Sequence, residues 1–204
     1  MVLPAGARRE RILEAAITEF AERGFEGTTW RAVAERAGVT QGLIRFYFDD
    51  KEGLWRAAFR RAHERRLDGM PPPAALPGQG APDREAVAAW AHAYAVHVAR
   101  FPQEARMLVR EGEMGSERMV WAADEVLRAA QGEFLEGVEV LQSHGWFAGF
   151  APLQVLYLLA GAAQYVFLVP GEVAAVAGDD PTTDAYVHAH ADAVVRLFMA
   201  HAPA

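Results

Sequence analysis

The stretch that decides the fold is TTWRAVAERAGVTQGLIRFYFDDKEGL, residues Thr28–Leu54. It contains two short runs with the apolar spacing of a helix, separated by the turn at residues 37–39, Ala-Gly-Val. Threonine is a common N-cap, so Thr28 or Thr29 can open the first run and Thr40 the second. Two short helices joined by a turn of three or four residues that contains glycine form a helix-turn-helix. The stretch therefore predicts this motif.

Helices are also predicted on both sides of the motif. Apolar residues recur at offsets of three to five over residues 8–22, and Gly24 supplies a stop. Downstream, Asp49 and Asp50 break the run and can cap a longer helix over residues 51–67. We expect residues 1–50 to form a three-helix DNA-binding domain, which the helix 51–67 joins to the rest of the chain.

The remaining sequence is predicted to be helical after a proline-rich loop at residues 68–82. Helical patterns cover residues 84–100, 102–114, 117–144, 152–169 and 183–201, and residues 171–181 separate the last two. No alternating strand pattern of useful length and no internal repeat is present. The chain is therefore expected to be all-α, with a second helical domain over residues 83–204, for which the resemblance described below implies ligand binding and dimerisation.

Charge is distributed unevenly along the chain. The first 67 residues hold 13 Lys and Arg against 10 Asp and Glu, whereas the remaining 137 hold 7 against 17. The net charge of −7 would argue against a nucleic-acid partner if it were spread evenly. A basic head on an acidic body instead indicates a protein that binds a polyanion through its head.

Composition excludes several classes of protein. With 52% hydrophobic and 23% charged residues the chain is globular rather than collagen-like or disordered. The absence of cysteine excludes disulfides, thiolate metal sites, iron-sulfur clusters and a cysteine nucleophile, and it favours a reducing compartment. The first residues lack the apolar stretch of a signal peptide, so the protein is expected in the cytoplasm.

One segment is unusually apolar. No Asp, Glu, Lys or Arg occurs between Glu139 and Glu172. A membrane span needs about 20 apolar residues with basic flanks, but here the nearest flanking charges are acidic and Gln154 and Gln164 interrupt the run. We therefore favour a homodimer seam through residues 152–169 and 183–201 over a membrane contact.

The motif region, with Phe20 and Gly24 before it and Lys-Glu-x-Leu at residues 51–54, resembles the DNA-binding head of the tetracycline-repressor (TetR) family. The resemblance covers about residues 8–67, whereas the body resembles the family only in size and helical layout. It implies a one-component regulator, neither an enzyme nor bound to a cofactor, whose homodimer binds a palindromic operator in double-stranded DNA. It also implies a small-molecule effector bound in the body, whose identity the sequence leaves open. A small-molecule-binding protein of the same fold without operator binding is the alternative.

The expected DNA contacts follow from how a recognition helix enters the major groove, N-terminus first. Gln41 can form paired hydrogen bonds with adenine, and Gly42 lets the backbone approach the bases. The resemblance implies that Arg31, on the helix before the turn, contacts a base or a phosphate. It also implies that Tyr47 and Lys51 contact the phosphate backbone. This chain has Arg45 where many family members carry tyrosine, and Tyr47 where many carry histidine. The full predicted set is Thr28, Thr29, Arg31, Thr40, Gln41, Gly42, Arg45, Tyr47 and Lys51.

The body offers no recognisable catalytic or metal site. His92 and His97 are five residues apart and His188 and His190 two, and neither spacing places two ligands on one helical face. No nucleophile elbow, phosphate-binding loop or dinucleotide fingerprint occurs. Its aromatic and polar residues could instead line an effector pocket or form an ordinary core. These candidates are Trp90, Tyr94, Met107, Trp121, Phe134, Trp146, Tyr157, Gln164 and Tyr165.

Overall fold

The computed structural model describes residues 5–70 and 83–202, and every regular element within them is helical. The elements are α1 (Ala5–Gly27), α2 (Trp30–Ala37), α3 (Gln41–Tyr47), α4 (Lys51–Leu67), α5 (Arg84–Arg100), α6 (Pro102–Met114), α7 (Glu117–Ala122), a π-helical turn (Ala123–Leu127), α8 (Arg128–Ser143), α9 (Pro152–Leu168), α10 (Pro170–Ala177) and α11 (Asp184–Met199). The all-α prediction is confirmed. Most of the predicted proline-rich loop, at residues 71–82, lies outside the described residues.

The helix-turn-helix forms where its capping residues predict it. The Thr29 hydroxyl accepts a hydrogen bond from the Ala32 N–H at 3.2 Å and so caps α2. Thr40 caps α3 in the same way through the Leu43 N–H at 3.3 Å. Between them Gly38 adopts a left-handed conformation, with φ 62° and ψ 42°, which glycine takes without strain. Local chemistry therefore sets both ends of this turn.

The end of α1 differs from the prediction. Helical assignment continues to Gly27, but Gly24 interrupts it with φ 71° and ψ 178°. The predicted stop is thus a kink, after which Phe25–Gly27 forms a short extension. Because φ is positive there, any other residue would be strained.

The described residues divide into two compact units. The first comprises residues 5–68 and 103–126, and the second comprises residues 69–70, 83–102 and 127–202. The sequence-based division kept 103–126 in the body, whereas by contacts this segment groups with the N-terminal helices. One physical reason is Glu104 on α6, whose buried carboxylate meets His63 on α4.

The second unit is built around an apolar cluster. Helix α11 packs against α5 and α9, and α9 also packs against α5 and α8. The cluster includes Trp90, Tyr94, Phe134, Val138, Trp146, Leu159 and Val194. This packing buries one side of α9 and leaves the opposite side exposed.

Two predicted segments of the body are revised. Residues 117–144 were expected as one helix, but the π-helical turn at Ala123–Leu127 divides them into α7 and α8. Residues 171–181 were expected as a separator, but α10 occupies Pro170–Ala177. Pro170 begins α10, because proline is favoured at the first position of a helix, where its missing N–H needs no partner.

Within the described residues, no single helix is long and apolar enough to cross a membrane. Only α9 and α10 taken together reach the necessary length and composition, and a 73° bend separates them.

Candidate nucleic-acid interface

The expected base-contacting residues share one solvent-exposed face of α3. Gln41, Gly42, Arg45 and Phe46 are all exposed, whereas Ile44 is fully buried on the opposite side. Residues four apart lie one turn apart on a helix, so position 45 follows 41 and position 46 follows 42 along the same face. The structure thus brings the predicted residues of α3 together as a contiguous surface. Thr40 is exposed at its N-terminal edge.

The two predicted arginines, one on α3 and one on α2, each contact a neighbouring side chain. The guanidinium of Arg45 lies 5.8 Å from the centre of the Trp30 ring, a weak cation–π contact. The Arg31 Nε donates a hydrogen bond to Glu35 at 2.8 Å, and this bond raises the pKa of Arg31 above its ordinary value. Exposed ion pairs of this kind contribute little to stability, so the contact with Glu35 leaves Arg31 available to a stronger acceptor.

The two threonines before α2 have different environments. Thr28 is 2% exposed; its hydroxyl donates to the Gly24 carbonyl at 2.7 Å and its N–H to the Phe25 carbonyl at 3.3 Å. Thr29 is exposed and caps α2, whose first N–H groups have no partner within the helix. Of this pair, therefore, only Thr29 is exposed at the N-terminus of α2.

The other predicted phosphate contacts are Tyr47 and Lys51. Both side chains also contact residues of the first unit. The Tyr47 ring is partly buried and packs edge-to-face with Phe46, with 5.4 Å between ring centres. The Lys51 Nζ donates to the Glu26 carbonyl at 3.3 Å and lies 4.6 Å from the Phe25 ring centre. Lys51 thereby ties the start of α4 to the segment that follows the kink in α1.

Phe25 lies at a contact between the α6–α7 segment and the N-terminal helices. The guanidinium of Arg118 lies 3.7 Å from the Phe25 ring centre, so a second cation contacts the ring besides Lys51. Arg118 is held in turn by Glu111 at 3.0 Å, and Arg110 donates to the Glu22 carbonyl at 3.0 Å. Sequence analysis missed Phe25 and Arg118, because no local pattern reports a contact between segments so far apart in the chain.

A buried charge cluster lies between α4 and α6. The Glu104 side chain is 1% exposed, and its Oε1 lies 2.6 Å from His63 Nδ1. Its other oxygen contacts the Arg66 guanidinium. Buried carboxylates are unfavourable without such partners, so these contacts fix the position of α6 against α4.

The N-terminal residues match a family described as bacterial regulatory proteins, tetR family, over residues 12–58. This match lies within the first unit. The HTH-type transcriptional regulator BetI of Burkholderia thailandensis is 40% identical over 53 residues. Those residues are 26% of this chain and 27% of BetI, so the chain matches about a quarter of the length of this curated relative.

Solved structures resemble this chain over nearly its full length. A mutant of HlyIIR, a hemolysin II transcriptional regulator, has a TM-score of 0.71 at 18% identity and covers 98% of this chain and 97% of its own. FadR from Bacillus subtilis, in complex with stearoyl-CoA, has a TM-score of 0.64 at 19% identity. The match covers 96% of this chain and 100% of the FadR chain. At these identities the likeness shows the fold.

Apolar cavities of different size occur in the second unit. The larger, of about 480 Å³, is lined by α9, the C-terminal part of α11 and the loop after α8. The smaller, of about 30 Å³, lies deeper, and Trp90 and Phe134 line it. Phe147 and Phe198 contribute to the walls of both cavities. Phe147 has φ 51°, an unusual value for a bulky residue.

The structure separates the predicted pocket residues. Trp90 and Phe134 line the smaller cavity, and Tyr157 lines the larger. Tyr94 stacks on Trp90 and accepts a hydrogen bond from Gln164 at 3.2 Å.

The remaining candidates lie elsewhere. Trp146 is buried in the same cluster and contacts the smaller cavity, whereas Tyr165 is 58% exposed on α9. Met107 and Trp121 belong to the first unit, where Trp121 packs edge-to-face on Trp55. A sequence pattern marks aromatic residues on helices, but it does not tell which of two units each helix joins.

The described histidines and carboxylates do not assemble into a metal-binding group of three. His92 and His188 stack with 5.5 Å between ring centres, and His92 lies 3.5 Å from Asp192.

Proposed function

We propose that this protein is a transcriptional regulator that binds operator DNA through the exposed face of α3 and the N-terminus of α2. The observation that carries the proposal is the contiguous face of Gln41, Gly42 and Arg45 on a segment that matches the tetR family. Gln41 supplies a donor and an acceptor for adenine, and Arg45 supplies donors for guanine or phosphate. Thr29, Arg31, Tyr47 and Lys51 then fix the register through the DNA backbone.

The active form in this proposal is a homodimer joined through α9 and α11. Large apolar residues on these helices are exposed in the single chain: Leu153, Tyr157, Leu158, Tyr165 and Leu197. A two-fold dimer that buries this surface would place one recognition helix at each half of a palindrome, with half-sites about 34–36 Å apart or a multiple of that distance. Binding at a promoter would block transcription, which makes the protein a repressor.

The effector in this proposal is a small, largely apolar molecule bound in the second unit. Both cavities have apolar walls, and the larger one shares Tyr157, Leu158 and Leu197 with the proposed dimer surface, so in the dimer it would lie at the seam. Such a ligand releases DNA only to the extent that it binds the released conformation more tightly than the DNA-bound one. FadR is a structural neighbour with stearoyl-CoA bound, so stearoyl-CoA is a reasonable first compound to test.

The deciding experiment is a footprint of the purified protein on the DNA upstream of its own gene, repeated at several salt concentrations. A protected palindrome whose protection weakens steeply with salt supports the regulator, because each phosphate contact releases counterions. If a folded dimer protects nothing there, selection from random DNA distinguishes a distant operator from loss of DNA binding. Absence of any selected sequence would favour the alternative, a small-molecule-binding protein of this fold without an operator.

Two variants separate the proposed roles within the interface. Gln41→Ala should relax the sequence preference, whereas Lys51→Ala should weaken binding to all sequences alike and flatten the salt dependence. Because Lys51 also donates to the Glu26 carbonyl, its variant needs an unfolding curve as a control. Identical effects of the two variants on specificity and salt dependence would contradict this division.

The dimer seam and the effector have separate tests. Leu158→Glu on α9 should yield a monomer in sedimentation, whereas Val140→Glu on α8, also an exposed apolar position, should remain dimeric. With the operator in hand, stearoyl-CoA should reduce protection and coenzyme A alone should not, because the acyl chain is the part that apolar cavity walls can bind.

A further inference from the structure

Phe46 is the most exposed large apolar residue of the first unit, at 80% exposure. Its neighbours Ile44 and Phe48 are buried and provide the core contacts of this region, so Phe46 is not needed for packing. Single exposed apolar residues are common on protein surfaces and need no explanation by themselves. This one lies on the face of α3 that carries Gln41 and Arg45, where DNA would cover it.

Gly42 leaves the surface open beside Phe46. The glycine precedes Phe46 by one helical turn, and a Cβ added to it would meet no atom closer than Thr40 Oγ1 at 4.0 Å. The fold therefore has room for a side chain at position 42. Its absence allows a base edge to approach the helix directly beside the Phe46 ring.

The orientation of the Phe46 ring is restrained from within the protein. It packs edge-to-face with Tyr47, with 5.4 Å between ring centres and 76° between ring planes. A ring held in this way loses less conformational freedom on binding than a free side chain.

The chemistry of the major groove determines what such a ring can contact. Base edges there present hydrogen-bond donors and acceptors, and the exception is the 5-methyl group of thymine. Phenylalanine has no hydroxyl and cannot donate to a phosphate oxygen. The favourable partner for Phe46 in the groove is therefore a thymine methyl group.

We propose that Phe46 recognises the 5-methyl group of one thymine in each half-site and is a specificity-determining residue of the interface. The inference rests on the proposed function, because it requires α3 to enter the major groove. It assigns thymine recognition to an apolar contact, in addition to the hydrogen bonds expected from Gln41 and Arg45.

The test replaces each thymine of the selected half-site, one position at a time, with deoxyuridine, which removes only the methyl group. Binding of the unaltered protein should weaken about fourfold at one position, the factor expected for losing the burial of one methyl-sized group. Phe46→Ala should weaken binding to the thymine duplex and show no further loss with deoxyuridine at that position. Selection from random DNA should also lose its thymine preference there in this variant.

Val109→Ala, an exposed apolar position on α6, serves as the control and should keep full sensitivity to deoxyuridine. Because Phe46 is exposed, its variant should unfold like the unaltered protein. If Phe46→Ala remains as sensitive to deoxyuridine as the unaltered protein, or if no deoxyuridine position matters, the inference is overturned while operator binding stands. If the unaltered protein selects no DNA sequence, the proposed function fails and this inference fails with it.

Discussion

Both compact units have an apolar core, and the first unit adds short ion pairs between its helices. In the first unit, ion pairs connect separate helices: Arg36 with Glu19 and Glu22, Arg61 with Glu10, and Arg65 with Glu14. The hydrogen bond from Arg36 to Glu19 raises the pKa of this arginine above its ordinary value, and the charge of Glu22 adds to the effect. In the second unit, an apolar cluster contributes the main packing between helices and encloses the smaller cavity.

This difference suits two different tasks. Hydrogen-bonded ion pairs are directional, so they set the angle and register between helices. Apolar packing is non-directional and tolerates a void with a loss of stability rather than of fold. The unit that presents α3 adds directional contacts to its apolar core, and the unit proposed to bind an effector encloses the smaller cavity within its core. The following predictions test this contrast, from the largest expected effect to the smallest.

The largest effect should come from removing volume in the second unit. Trp146 is almost completely buried in its apolar cluster, so Trp146→Ala should lower the free energy of unfolding by about 4 kcal/mol. Urea denaturation measures this. Val140→Ala at an exposed position of α8 should change it by less than about 1 kcal/mol. Equal losses in the two variants would mean that the cluster does not hold the unit.

Removing a charge should have a comparable effect in the first unit. Glu104→Ala leaves His63 and Arg66 without their buried partner, and we expect a loss of about 3 kcal/mol in the same assay. Glu139→Ala on the exposed face of α8 is the matched control and should be nearly neutral. A nearly neutral Glu104→Ala would show that ion pairs do not position α6 against α4.

Caps should contribute less than buried charges. Thr29→Ala removes the acceptor for the Ala32 N–H at the start of α2 and should cost about 1 kcal/mol. Thr29→Ser keeps the hydroxyl and should retain most of the stability in thermal unfolding. If the serine variant loses as much as the alanine variant, capping is not what the hydroxyl supplies.

A glycine substitution should have opposite effects on folding and binding. Gly42→Ala fits the helix without a clash and should raise the free energy of unfolding by about 0.5 kcal/mol while weakening operator binding. Gly38→Ala is the contrast, because its φ is 62° and an added Cβ would lie 2.8 Å from Arg11 Nη2. It should destabilise the fold. Unchanged operator binding by Gly42→Ala would remove the reason for a glycine on the α3 face.

The smallest effect concerns the turn before α11. Asp180 accepts hydrogen bonds from the Thr182 hydroxyl at 2.6 Å and N–H at 2.9 Å, and these lower its pKa below 3.8. A lowered folded-state pKa adds stability above the unfolded value, and that stability is lost as the pH falls through the folded one. Since the carboxylate is fully exposed, Asp180→Asn should leave the Tm at pH 7 almost unchanged. An NMR titration should place the Asp180 pKa below its ordinary value, and Thr182→Ala should raise it part of the way back, because the variant loses the hydroxyl bond and keeps the N–H bond. An unchanged pKa in Thr182→Ala would contradict this.

Much of the first unit could be predicted from sequence because its signals are local. Thr29, Gly38 and Thr40 each act on their own turn of backbone, and the predicted limits of α4, Lys51–Leu67, agree with the structure. The predicted limits of α5 and α6 agree as well. The exposed face of α3 follows from helical periodicity once Ile44 is assigned to the core.

The contacts between distant segments could not be predicted in this way. Nothing near Glu104 in the sequence indicates His63 as its partner, and nothing near Phe25 indicates Arg118. Local patterns also left Thr28 and Thr29 equivalent, whereas packing buried one and exposed the other. Met107 and Trp121 carried the same signal as Trp90, yet they joined the other unit.

The sequence by itself determined the helical class, the helix-turn-helix and the surface that α3 presents, because capping, glycine conformation and helical spacing act over a few residues. Only the tertiary structure decided which helices form each unit, which charges are buried, where the cavities lie and how exposed Phe46 is. These properties depend on the packing of residues far apart in the chain, and packing selects among arrangements that local preferences leave equally favourable.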